Sequence, residues 1–204
     1  MSHLKGSTPE ELAAYEEQKK VKIYREIMGR ANVPAAFQQQ NSQELAKHVA
    51  WAETFTRLRS FLKPDHRGSV IVLTGKRGCG KTAMAVEAIK WGACHDLFGF
   101  FCKLEFFLDQ KRGKDVDHVF IQENFADPKI VVIDECGKLR ESTWESLKLF
   151  NLLDSRKDDQ KHTILTCSVL PADLPAFFGS SIADRIHDGG VVLHLDWDSF
   201  RGKV

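Results

Sequence analysis

The run GKRGCGKT, Gly75 through Thr82, constrains this chain more than any other feature. It satisfies the G-x-x-x-x-G-K-[ST] pattern in full, and the Ser69 to Thr74 run before it (SVIVLT) is short, apolar and β-branched, like a strand buried on both faces of a parallel sheet. Gly75, Gly78 and Gly80 permit backbone turns closed to residues with a Cβ, so successive N–H groups can point inward at phosphate oxygens. Lys81 offers a positive charge to the β and γ phosphates of ATP, and Thr82 a hydroxyl to Mg²⁺. The helical pattern from Lys81 to about Ile89 aims its N-terminal dipole at the same anion. Lys76, Arg77 and Cys79 occupy the variable positions and complete the expected nucleotide-binding loop. Cys79 reads as a small residue filling a small space, although an oxidised thiol there would obstruct phosphate.

Further along, KIVVIDE (Lys129 to Glu135) sets an apolar strand ahead of two acids. The carboxyl ends of parallel strands share one sheet edge, so Asp134 is expected near Thr82, holding Mg²⁺ with it. Glu135 then faces the γ-phosphate and can polarise a water for in-line attack, the task of a general base in hydrolysis. Catalysis is thereby assigned to Lys81 and Glu135.

Strand patterns recur at Ser69–Thr74, Phe98–Leu104, Lys129–Ile133, Thr163–Cys167 and Val191–Leu195, with helical stretches between them. That rhythm predicts an α/β fold with a doubly wound parallel five-stranded sheet. A short helical segment precedes it, and the division falls at 1–40 and 41–204. In the first part Thr8, Pro9 and Glu11 start a polar helix running to about Gly29, whose thin apolar face (Leu12, Tyr15, Tyr24, Ile27) suits either a solvated helix or one docked on a partner. A second helix is expected from Asn41, capped with Glu44 and carrying Leu45, Val49, Ala52, Phe55, Leu58 and Leu62 inward.

A formal net charge of +1 excludes a globally basic nucleic-acid binder, so any DNA contact must be local. Five widely spaced cysteines with no CxxC pair fit a reducing cytoplasmic setting, and neither a secretory start nor a membrane-length apolar run is legible.

The later motifs resemble AAA+ ATPases of the DnaC/IstB family. The fourth strand, HTILTCSV, stands where that pattern carries a polar residue reading the γ-phosphate. No Asn is present there, leaving Thr166 or Ser168, of which Ser168 joins the nucleotide-binding set. Phe178, Gly179 and Ile182 to Ile186 look like the family's box near an arginine finger, and Trp197 to Arg201 looks like the DnaC ending. The resemblance implies that Arg185 reaches the nucleotide of a neighbouring subunit as a third catalytic residue, so that self-association completes the site. Ser181 stands where the family often has a second arginine. The resemblance is to members expected to carry no helical lid after the last strand, which leaves the segment around Val33 to Phe37 as a candidate enclosure for adenine.

The same resemblance implies a loader of a hexameric replicative helicase of the DnaB type onto single-stranded DNA. Lys138, Arg140, Ser142 and Trp144 are the candidate DNA contacts, with Lys111, Arg112 and Lys114 a second basic cluster that also suits a solvated turn. Trp144 has an equally simple reading as a core residue beside Leu147. Two other functions fit the motifs: an IstB-like transposition helper ATPase, and a nucleotide-gated adaptor or inhibitor of a replication protein.

Overall fold

The computed structural model describes residues 24–38, 42–63, 68–112, 116–139 and 143–200. In chain order come α1, described over 24–30, then α2 (Ala35–Gln38), α3 (Ser42–Ala46), α4 (Val49–Ser60) and β1 (Val70–Gly75). α5 (Lys81–Ala93), β2 (Gly99–Lys103), α6 (Leu104–Gln110) and α7 (His118–Ile121) follow, the last continuing into a π turn at Gln122–Ala126. β3 (Ile130–Asp134), α8 (Thr143–Asp158), β4 (His162–Thr166), α9 (Leu174–Phe178), α10 (Ser180–His187) and β5 (Val191–Leu195) complete the set.

All five strands are parallel, in the order β2-β3-β4-β1-β5. Each expected strand is present, with bounds shifted by a residue or less and β5 as expected. Alternation along the strands divides the core by face. Ile71, Leu73, Phe101, Val132 and Ile164 point to the side covered by α4 and α5, while Val70, Val72, Phe100, Val131 and Leu165 point to the side of α6, α8 and α10. A parallel sheet sandwiched in this way needs apolar residues at every strand position, which is why the strands read as unbroken runs.

The sequence predicts one helix from Asn41 to Leu62, and the structure breaks it. α3 ends at Ala46, and His48 starts α4 by accepting a bond from the Trp51 amide on Nδ1 at 3.3 Å. The break resets the helical phase, so Trp51, 2% exposed, is buried with Leu58 while Val49 is 69% exposed. Asn41 lies outside the described residues, as do Thr8, Pro9, Glu11, Leu12 and Tyr15 of the expected first helix. The described end of that helix and the turn after it bury Met28, Ala31 and Val33 in the same core as α5, so packing does not separate residues 28–33 from the sheet.

Arg156, near the end of α8, is 1% exposed. Its guanidinium donates to Thr163 Oγ1 (3.0 Å), to the Phe125 carbonyl of the π turn (2.7 Å) and to the His162 carbonyl at the start of β4 (2.6 Å). Burial pushes its pKa down to about 9, leaving it charged at neutral pH.

Candidate functional site

β1 ends at Gly75, where φ is +140° and a Cβ would lie 2.6 Å from the Leu195 carbonyl and 3.0 Å from Cys79 Sγ. Gly75 is therefore required both by its backbone angle and by the closeness of β5. Cys79 is buried with its sulfur turned into the loop, while Lys76 and Arg77 are exposed. Gly80 caps α5 in the left-handed region without a side-chain bond, so the first-turn amides of α5 have no side-chain cap at the mouth of the loop. The Lys81 ammonium lies over the loop and donates to the carbonyls of Gly75 (2.7 Å) and Lys76 (2.8 Å).

Strand order brings the second half of the site together. β4 lies between β1 and β3, and its register (Leu73 opposite Thr166, Ile133 opposite Leu165) sets all three strand ends side by side. Thr82 Oγ1 donates to Asp134 Oδ1 at 3.0 Å, and the Thr166 hydroxyl donates to the same oxygen at 2.5 Å. Thr166 Oγ1 also accepts the Glu135 amide at 3.1 Å. One buried threonine thus fixes both acids at the end of β3. Glu135 holds φ at +61°, a strained value for a residue with a side chain. Its carboxylate lies between two ammonium groups, Lys138 Nζ at 2.6 Å and Lys103 Nζ at 3.1 Å. Lys138 foremost, with Lys103 behind it and partial burial opposing both, holds Glu135 below its ordinary pKa.

Lys103 was not singled out from the sequence. The available signal was a charge closing an apolar strand, but its meaning depends on β2 being the neighbour of β3, with Lys103 opposite Asp134. Thr166 and Ser168 are now distinguishable by position: Thr166 is buried and bonded to Asp134, and Ser168 is exposed past the strand end. For a metal, the Thr82 hydroxyl and the Asp134 carboxylate form a hard oxygen pair. No group of three or more His, Cys, Asp or Glu suited to a metal exists among the described residues. A sparse oxygen set suits Mg²⁺, which keeps several waters and takes its remaining ligands from substrate phosphates.

Arg185 is not brought to the phosphate loop of its own chain. Its guanidinium pairs with Asp154 of α8 at 2.5 Å and lies over the Phe150 ring, 5.7 Å from its centre. Asp188, at the C-terminal cap of α10, pairs with Lys157 of α8. Among the DNA candidates, Lys138 is exposed and paired with Glu135, whereas Arg140 and Ser142 lie outside the described residues, as do Lys114 and Arg201. Trp144 is half-buried at the edge of the second core, with Arg112 and Lys148 each 5.7 Å from its ring centre. Leu147 is 52% exposed, so Trp144 packs on the core without it, with two cations near its ring.

Beside the loop lies an aromatic group that the sequence did not bring together. Trp197 donates its indole N–H to the Cys79 carbonyl (2.9 Å), and the Phe200 amide bonds the Gly78 carbonyl (3.0 Å). His48 packs 5.2 Å from the Trp197 ring and 5.3 Å from that of Phe200. The turn before Val33–Phe37 is tied elsewhere: Asn32 and Ala31 bond to Phe101 of β2, at the far edge of the sheet from β5.

A family model described as IstB-like ATP binding protein matches residues 34–204. No curated protein matches by sequence. Among solved structures, the DnaC helicase loader is 22% identical with a TM-score of 0.59, over 72% of this chain and 90% of that one. A primosome component assigned in Streptococcus pyogenes serotype M3 reaches a TM-score of 0.66 at 17% identity, over 85% and 96%. DnaI reaches 0.60 at 14%, over 72% and 85%. These likenesses establish a shared fold.

Proposed function

This chain belongs to the family of IstB-like ATP binding proteins, and from that premise we propose that it is a Mg²⁺-dependent ATPase that loads a replicative hexameric helicase onto single-stranded DNA, with an active site completed by a second copy. The observation that carries the ATPase reading is the hydrogen-bonded chain at the mouth of the glycine loop, in which the Thr82 and Thr166 hydroxyls donate to the Asp134 carboxylate and Thr166 accepts the Glu135 amide.

In this reading Lys81 exchanges the carbonyls of Gly75 and Lys76 for the β and γ phosphates. Thr82 and Asp134 hold Mg²⁺, which when bound offsets charge on those phosphates. Glu135 accepts a proton from the attacking water, and Thr166 fixes its backbone for that task. Arg185 exchanges its ion pair with Asp154 for a neighbouring subunit's nucleotide, a role that rests on the resemblance of the motif around it. The Phe178–Ile186 box and the Trp197–Arg201 tail support the loader assignment over a generic ATPase, and the fold shared with the DnaC helicase loader agrees with it. The description of the matching family favours one second reading, a transposition helper of the IstB kind, which would prefer duplex DNA.

Co-purification with a hexameric replicative helicase at micromolar concentration tests the loader reading. A stable complex is expected, together with preference for single-stranded DNA. Absence of the complex with preference for duplex favours the transposition helper. The shared site is tested by mixing: Arg185→Ala and Glu135→Gln are each expected to be inactive alone, and an equimolar mixture to recover about a quarter of wild-type turnover, because one of four random interfaces pairs an intact Glu135 with an intact Arg185. A mixture no more active than its components would mean that Arg185 does not act across the subunit interface.

The lysine pair around Glu135 gives a pH prediction. A carboxylate whose pKa is lowered stays charged to more acid pH, so turnover should persist down through the ordinary glutamate range and fall only below it. Lys138→Ala removes the largest cause and should move the acid limb of kcat upward. A limb at the same pH in both proteins would mean that another group controls it.

A further inference from the structure

We infer that Trp197–Phe200 is a strap that holds the phosphate loop in its anion-binding shape from outside, with the Trp197 indole N–H as the positioning group. A loop whose amides converge on an anion turns its carbonyls the other way, and buried outward carbonyls require donors. Here the strap supplies two of them, Trp197 Nε1 to the Cys79 carbonyl and the Phe200 amide to the Gly78 carbonyl.

Topology places the strap there. β5 runs beside β1 to its last residue, with Leu195 opposite Gly75, so the chain leaves β5 where the loop leaves β1. From Leu195 it passes over the outer side of the loop and is wedged against α4. A Cβ on Gly80 would meet Trp51 Nε1 at 3.3 Å and the Phe200 ring at 3.4 Å, and His48 packs on both strap rings. The loop is thus gripped from outside by β5's extension and by α4, while Lys81 lies over it and reaches its Gly75 and Lys76 carbonyls.

The grip matters because Gly75, Gly78 and Gly80 leave the loop many alternative shapes. A ligand that binds one shape is weakened in proportion to the fraction of molecules not in that shape. By reciprocity, phosphate in the cradle must tighten the strap. This inference rests on nucleotide binding at the loop, and it concerns only the loop and its strap.

The test is calorimetric titration of wild type and Trp197→Phe with Mg-ATP and with Mg-tripolyphosphate, which has no base. Phenylalanine keeps a ring against His48 and removes the indole N–H. Both ligands are expected to weaken by the same factor, about three- to tenfold, the effect of losing one hydrogen bond that organises the loop. A variant that binds both as tightly as wild type overturns the strap. Weakening of ATP alone also overturns it, and makes the ring a wall for the base. The wild-type chain gives a second readout that needs no variant: hydrogen exchange at the Phe200 amide should slow with Mg-ATP, and an unchanged rate counts against the coupling. A wild type that binds neither ligand removes the nucleotide reading itself, a failure distinct from tight binding with an indifferent strap.

Discussion

Glu135→Gln should lower steady-state ATPase turnover by about 10²- to 10⁴-fold while changing ATP affinity by less than about threefold. Glutamine has the size of the carboxylate it replaces, and the backbone contact that orients residue 135 comes from its own amide to Thr166, which the substitution leaves in place. The variant loses the group that can accept a proton from water. It also loses the charge that Lys138 and Lys103 face, but those pairs are partly exposed and contribute little to stability. Lys81, Thr82 and Asp134 are untouched, so binding should survive, and the variant should still form nucleotide-dependent assemblies. Single-turnover phosphate release is the direct measure. A rate within tenfold of wild type would remove Glu135 from the chemistry and leave the nucleotide-gated adaptor as the better reading.

What the sequence revealed follows from how local each signal is. The phosphate loop and the Ile130–Glu135 strand end are contiguous motifs whose residues need no distant partner to be recognised, and Thr82 and Asp134 meet as the parallel-sheet argument expects. Strand positions were legible because buried parallel strands are unbroken apolar runs. Strand order was not, and the two missed contacts at Glu135 depend on it. Thr166 bridges Asp134 and Glu135 because β4 lies between β1 and β3, and Lys103 reaches Glu135 because β2 flanks β3. A threonine ending one strand and a lysine ending another carry no sign of these partners in one dimension. The helix over 41–62 failed for a different reason. Its apolar spacing continues across His48, but a histidine nitrogen that caps the Trp51 amide starts a new helix and turns Trp51, rather than Val49, into the core. Histidine is a poor signal for a helix start compared with Ser, Thr, Asp or Asn, so nothing in the pattern marked the break.

Arg156→Met should cost about 3–5 kcal/mol of stability and lower the melting temperature by roughly 10 °C. The guanidinium is an unusual fastener, since its three strongest bonds go to neutral acceptors on two separate elements: the Phe125 carbonyl at the end of the π turn, and the His162 carbonyl and Thr163 hydroxyl at the start of β4. Methionine fills much of the volume but leaves buried carbonyls without donors, each at about 1–3 kcal/mol. Relief from burying a charge offsets part of that loss, which keeps the expected figure below the simple sum. Arg156→Lys should recover only a fraction, because an ammonium on a shorter reach cannot serve a fork of three acceptors at fixed angles. The nucleotide site should be spared. Thr166 sits at the opposite end of β4, and the strand between is paired on both sides, Thr163 with Val70 and Val131, and Ile164 with Ile71 and Val132. Loss at the strand's start therefore weakens the fold without moving the hydroxyl that fixes Asp134 and Glu135. The measurable signature is a melting curve displaced downward together with unchanged ATP affinity well below the transition. A melting temperature within about 2 °C of wild type would mean that water satisfies the freed carbonyls. A large loss of ATP affinity in the cold would mean that β4 transmits strain along its length, and that Arg156 belongs to the site as well as to the fold.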